Sequence, residues 1–199
     1  MLGFPRAEPG LRVGLLGGSF DPPHAGHLHV TRRALAAFGL DRVWWLVSPG
    51  NPLKPRGPAE MERRLAAAQR LVAHPQVVVS DLEARLGTRY TAATLARLLP
   101  RYPGVRFVWL MGADNLAGFH RWERSDAIFA ALPIGVLARP GEQVRAGLSP
   151  AAMRYRRARL PAAAARLLPR LRTPAWTLLT GPMVGSSSTA LRVRGLWPG

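Results

Sequence analysis

One segment constrains this chain more than any other: Arg12-Val13-Gly14-Leu15-Leu16 and then Gly17-Gly18-Ser19-Phe20-Asp21-Pro22-Pro23-His24-Ala25-Gly26-His27. A short apolar run stopped by glycines is the pattern of a buried parallel strand. From Ala25 to Phe38, Leu28, Val30, Leu35 and Phe38 recur among polar partners without a proline, which predicts a helix closed by Gly39. Arg42-Val43-Trp44-Trp45-Leu46-Val47 then predicts a second strand. Strand, helix and strand within about 35 residues form a βαβ unit, and that unit commits the chain to a parallel sheet.

The alternation continues. Helices are expected over 59–73, 91–99 and 127–131, and strands over 77–79, 105–110, 134–138 and 176–179. Ala151 to Arg172, rich in Ala, Leu and Arg, reads as helical, interrupted or bounded by Pro161 and Pro169. A last helix opens near Ser186 to Thr189 on a hydroxyl cap. The expected fold class is α/β: a Rossmann-like, doubly wound parallel sheet with helices on both faces, in a single domain over 12–199 behind a flexible arm at 1–11. Ligands of such a sheet sit beyond the carboxyl ends of its strands, so the loops after Leu16, Val47, Leu110 and Ala138 matter most.

Composition removes several function classes. No cysteine occurs in the 199 residues, which excludes a disulfide framework, a thiolate metal site and a thiol nucleophile. No run of about 20 apolar residues offers a membrane span, and Met1 to Gly10 lacks the apolar stretch of a signal peptide. A cytoplasmic enzyme is expected, with no membrane partner. The formal charge of +17 raises a nucleic-acid binder as a rival, because clustered cations release counterions from phosphates. Lys54 is the one lysine among the 28 basic residues, however, so the excess resembles a coding bias spread over the chain. Nucleic acid is therefore not expected as the main ligand.

Gly17 and Gly18 are expected to turn the backbone and admit a ligand with no Cβ in the way, while Ser19 and Phe20 add backbone donors: an anion cradle. It is neither a G-x-G-x-x-G fingerprint nor a Walker loop. His24 and His27 share a face at the helix start, so both can reach one phosphate, and the helix terminus adds its dipole. The competing reading is a plain turn with two surface or metal-binding histidines.

Residues 17 to 27 resemble the T/H-x-G-H signature of the nucleotidyltransferase superfamily. Ser187-Ser188-Thr189-Ala190-Leu191-Arg192 is similar to the S-S-T-x-(I/L)-R turn of its nicotinate-nucleotide adenylyltransferases. Taken alone it could be a plain helix cap. Arg89-Tyr90-Thr91-Ala92-Ala93-Thr94-Leu95 resembles that family's Y-T-x-x-T-L segment, and Met111 to Leu116, with Arg121-Trp122, its G-x-D-x-(L/M) and F-x-x-W region. Asp114 and Trp122 could otherwise be a helix cap and a packed aromatic. Arg139-Pro140-Gly141 looks like the R-P-G after its fifth strand. Two departures stand out. Seven residues follow Arg192 where the family often carries further helix, and Ser186 stands where it usually has an apolar residue.

The resemblance implies an adenylyltransferase that joins ATP and nicotinate mononucleotide, giving deamido-NAD and pyrophosphate in NAD biosynthesis. It gives His24, His27 and Arg192 the reacting phosphates. ATP falls to Gly17, Gly18, Ser19, Phe20, Lys54, Ser187, Ser188 and Thr189. The pyridine nucleotide falls to Thr91, Gly112, Asp114, Trp122 and Arg139. Mg²⁺ would arrive with ATP rather than in a protein cage, so no protein metal site is expected. Chance retention explains Lys54 equally well. Transferases acting on nicotinamide mononucleotide or phosphopantetheine remain neighbouring alternatives, and sequence gives no handle on oligomeric state.

Overall fold

The computed structural model describes residues 3–50, 57–138, 142–181, 188–193, 195 and 197. Lys54, Arg139 and Ser187 lie outside the described residues, as does the side chain of Thr189. Seven strands build one sheet: β1 (Arg12–Gly18), β2 (Arg42–Val47), β3 (Val77–Ser80), β4 (Arg106–Gly112), β5 (Ile134–Ala138), β6 (Arg159–Leu160) and β7 (Trp176–Thr180). Their order is β3-β2-β1-β4-β5-β7-β6, and every pairing is parallel. The chain winds outward from β1 through β2 to β3, then returns to β4 on its other side. The crevice between the carboxyl ends of β1 and β4 is thus the switch point where such sheets receive ligands.

The helices are α1 (Ala25–Phe38), α2 (Met61–Leu71), α3 (Leu82–Arg85), α4 (Thr91–Leu98), α5 (Ala113–Gly118), α6 (Ser125–Ala131), α7 (Gln143–Gly147), α8 (Pro150–Arg154) and α9 (Ser188–Val193). Alternate residues of the inner strands feed opposite layers. Trp44 and Trp109 join Leu95, Phe119 and Phe129 on one face, while Trp45 and Leu110 join Ala34, Phe38 and Ala68 on the other. Burial on both faces is why these strands read as continuous apolar runs rather than alternating ones.

The expected α1, β2 and β5 have the observed bounds, and Gly39 closes α1 in the left-handed region at φ 59°. The stretch 151–172 does not form one helix. It divides into α8, a 3-10 turn at Arg156–Ala158, β6 and a 3-10 segment at Ala162–Arg170. Pro161 disfavours helical backbone at Leu160, which pairs with Thr177 as strand, and Ala165 and Leu168 still reach the core beside α1. Among the described residues ahead of β1, Pro5 and Gly10 are tied down: Tyr102 donates its hydroxyl to Pro5 O at 2.8 Å and Gly10 donates its N–H to Gly104 O at 2.8 Å.

The glycines of the cradle work differently from the expectation. Gly17 and Gly18 end β1 in register with Leu46 and Val47, and neither has a positive φ. A Cβ at Gly17 would lie 2.6 Å from Cη2 of the buried Trp109, so glycine here serves close packing. The turn is made downstream by Phe20, at φ 47°. A Cβ at Gly18 would meet Phe20 at an ordinary 3.4 Å. We expect Gly17→Ala to cost about 1–3 kcal/mol, as overpacked cores do, with Gly18→Ala costing much less. Urea denaturation of both variants checks this, and equal stabilities would show that Trp109 does not press on Gly17.

Candidate functional site

The site begins where β1 ends. A bulky residue in the left-handed region costs about 1–3 kcal/mol and persists only where its surroundings over-determine it. Here they do. The Phe20 ring is buried and stacks on Trp45, with centroids 4.9 Å apart, and His27 tilts against it at 4.6 Å. The Ser19 carbonyl accepts from Arg64 Nη1 at 2.7 Å. Among the described residues, no acceptor takes the N–H of Ser19 or Phe20. The loop therefore presents two backbone donors, as the sequence suggested, although the glycines do not turn it.

Both histidines cap α1. His24 Nδ1 accepts the Gly26 N–H at 3.1 Å, and His27 Nδ1 accepts the His24 N–H at 3.1 Å. An imidazole that accepts at Nδ1 carries its proton on Nε2. The two rings lie 3.9 Å apart, so the structure brings the pair together on one face. Burial pushes His27 down to about 3, and the nearby His24 adds to the shift. His27 is thus a neutral donor near pH 7 rather than a cation. The helix amides contribute less than expected, because those of Gly26 and His27 are bonded inside the cap.

The second motif folds onto the first. Ser188 Oγ donates to Pro22 O at 2.9 Å, and Arg192 Nη1 donates to the Asp21 carbonyl and lies 3.4 Å from Asp21 Oδ2. Segments some 170 residues apart in the chain, from Asp21 to Arg192, so form one turn over the carboxyl end of β1. Trp197 adds a support that sequence reading missed: its Nε1–H donates to Asp21 Oδ1 at 2.7 Å, and Arg63 covers its ring at 4.4 Å.

Across the crevice, Gly112 ends β4 and Asp114 lies exposed in the first turn of α5. Its Oδ1 folds back over Gly112, where an added Cβ would meet it at 2.4 Å. Asp114 opens on a cavity of about 160 Å³ with Arg121, Glu142 and Arg145. Trp122 is half-buried, packed edge-on against Trp109 at 6.4 Å and against Phe119 at 5.0 Å. Packing and ligand contact are compatible for it. Thr91 is the half-buried first residue of α4, between β3 and β4 in the chain, and among the described residues no hydrogen bond joins it to the loop after β1.

Beneath α4 lies a network that sequence marks at Thr94 but not at Thr88 or Glu83. Thr94 and Thr88 hydroxyls meet at 2.8 Å, and Thr94 Oγ1 approaches Glu83 Oε1 at 3.5 Å. Burial pushes the Glu83 carboxyl up to about 7, with the hydroxyls of Ser48 and Thr94 offsetting part of the shift.

A doubly wound α/β protein with a loop of open backbone donors and a basic turn at its switch point defines the class: a nucleotide-handling enzyme fold. Comparison with known proteins narrows it. The sequence profile described as cytidylyltransferase-like matches residues 15–194. A probable nicotinate-nucleotide adenylyltransferase of Cereibacter sphaeroides is 66% identical over 187 residues, covering 94% of this chain and 99% of the relative. Another of that name, from Roseobacter denitrificans, is 59% identical over 195 residues, covering 98% of each. The structure of Plasmodium falciparum nicotinic acid mononucleotide adenylyltransferase complexed with NaAD superposes with a TM-score of 0.71 at 14% identity, over 92% of this chain and 83% of that one, which shows the shared fold. The chain belongs to the cytidylyltransferase-like family and, within it, to the nicotinate-nucleotide adenylyltransferases.

Opposite pH slopes follow from the two shifted groups. Glu83 is raised from 4.5 to about 7, so the folded state binds more protons between those values and its stabilising neutral form is lost as pH rises through 7. His27 is lowered from 6.5 to about 3, so stability is lost as pH falls below 6.5. Glu83→Gln should accordingly gain stability relative to the parent at alkaline pH compared with acid. Urea midpoints on both sides of pH 7 test this, and a pH-independent difference would count against the shift.

Proposed function

We propose that the 5′-phosphate of nicotinate mononucleotide attacks the α-phosphorus of ATP at this switch point, forming deamido-NAD and releasing pyrophosphate. One new P–O bond forms as the bond from the α-phosphorus to the β-bridging oxygen breaks. A phosphate monoester, with a second pKa of about 6, is already largely ionised near neutrality, so positioning and charge stabilisation do the work. The observation that carries this function is the seating of the Ser188–Arg192 turn on the loop after β1.

In this mechanism the Ser19 and Phe20 amides and the Nε2–H groups of His24 and His27 donate to the phosphates around the reacting centre. Gly17, packed against Trp109, and Gly18 bring the strand end beneath the nucleotide, Arg192 holds the outer phosphates of ATP, and Ser188 fixes the turn. Asp114 accepts from a ribose hydroxyl, and Thr91 and the open part of Trp122 receive the pyridine ring. Mg²⁺ enters as part of the substrate, on the ATP phosphates. The Asp21 carboxylate beside the loop already accepts from Trp197, which fits an ion carried by the nucleotide better than one held by that carboxylate. Lys54, Ser187, Thr189 and Arg139 keep the roles that the resemblance gives them. We place this chemistry in the cytoplasm; among the described residues, no helix is long and apolar enough to cross a membrane.

Incubating the protein with Mg-ATP and each mononucleotide while following pyrophosphate tests the function. Nicotinate mononucleotide should be turned over fastest, and preferential use of nicotinamide mononucleotide or phosphopantetheine would replace this substrate assignment. Absence of pyrophosphate together with steeply salt-dependent DNA or RNA binding would favour a nucleic-acid binder. His27→Ala should lower kcat about 10²- to 10³-fold, the usual effect of losing one transition-state donor, while circular dichroism stays native. Trp122→Ala should raise the KM of the mononucleotide about 10-fold with little change for ATP, and equal losses for both substrates would refute stacking.

A further inference from the structure

Arg64, on α2, is 1% exposed, and among the described residues its guanidinium meets no carboxylate at ion-pair distance. Three backbone carbonyls hold it instead. Nε donates to Ala59 O at 2.6 Å, and Nη1 donates to Ser19 O at 2.7 Å and to Ser48 O at 2.7 Å. One side chain thus joins the loop after β1, the loop after β2 and the entry to α2. Burial pulls the guanidinium below its ordinary range, with Asp21 the opposing charge. A cation is taken out of water only where strong, well-aimed acceptors offset its desolvation, so this arrangement is costly for a mere spacer.

The geometry points to Arg64 as the residue that positions the phosphate loop for ATP. The Ser19–Phe20 peptide is not among the cis bonds, so its C=O and N–H point in opposite directions. Gripping the Ser19 carbonyl from the buried side turns the Phe20 N–H to the other side, where no protein acceptor takes it among the described residues. The same grip holds Phe20 in its left-handed conformation. The guanidinium also leaves a positive charge beneath the loop without touching the nucleotide. Arg64 is therefore a positioning residue, and its role rests on the adenylyl-transfer function proposed above. Nothing in the sequence marks it, because a basic residue in an amphipathic helix of an arginine-rich chain reads as solvated surface.

The test is a substrate split. Arg64→Lys keeps a cation but not the planar fork, and Arg64→Gln keeps neither. In the full-length protein, ATP and inorganic tripolyphosphate binding are measured by calorimetry, pyrophosphate release by steady-state kinetics, and folding by thermal melts. We expect Arg64→Gln to weaken ATP and tripolyphosphate about 10-fold and to lower kcat about 10²-fold, with Arg64→Lys intermediate and the mononucleotide KM within about 3-fold of the parent. Unchanged ATP and tripolyphosphate binding, or parallel losses for both substrates that track a lowered melting temperature, would overturn the role. The binding arm needs no reaction, so a parent protein that binds ATP but uses no nicotinate mononucleotide refutes the substrate and not Arg64. Should neither variant fold, NMR of the unaltered protein decides: the Phe20 amide signal must shift on adding ATP, and a stationary Phe20 signal overturns the proposal.

Discussion

The contact of Trp109 with Gly17 sets the spacing on which the rest of the molecule depends. β1 is hydrogen-bonded on both sides, to β2 and β4, so its residues cannot shift to make room for a side chain. Gly17 lets the indole fill the space beneath the last turn of the strand, and the same indole meets Trp122 on its far side. The floor of the crevice and the aromatic wall beyond it are thus one packed unit. An interior at crystal-like density transmits displacement, so a change at Gly17 reaches both the phosphate loop and the opposite wall.

Electrostatics in the site depend on which charges are absent as much as on which are present. A chain of formal charge +17 could have faced an anion with a crowd of surface arginines, each solvated and screened. In the proposed reaction the loop after β1 offers the anion backbone amides and His27, which burial keeps neutral. Neutral donors fixed in place need no reorganisation when charge develops on the reacting phosphates. Among the described residues, Arg64 brings a formal charge below the loop and Arg192 one above it, with Asp21 between them.

Much of the fold was legible because hydrophobic pattern and turn residues agree at β1, α1, β2 and β5. The short helices α3, α5 and α7 were not, since four to six residues are too few to show a helical period. At 151–172 composition favoured helix, but Pro161 redirected the chain into β6. In the site, the histidine pair was readable as spaced polar residues, whereas the turn at Arg192 was legible only through the family resemblance, since its residues alone read as a helix cap. The reason for the glycines was not, because a clash with Trp109 is a contact between distant positions. Glu83 and Arg64 were invisible for a related reason: sequence marks a charged residue but not its burial.

The contact between Arg192 and Asp21 illustrates how the two motifs can serve one ligand. Arg192 donates to the Asp21 carbonyl, yet its approach to the carboxylate, at 3.4 Å, is longer than a close charge-assisted bond. Part-exposed ion pairs of this kind contribute about 1 kcal/mol or less. A polyphosphate offers the same guanidinium several charged oxygens in a geometry that its fork can match. Asp21 keeps its bond from Trp197 whichever partner Arg192 takes, so the loop need not relax when the arginine turns to a nucleotide. In the proposed reaction the carboxylate thereby holds the cation in place before the nucleotide arrives and competes only weakly afterwards.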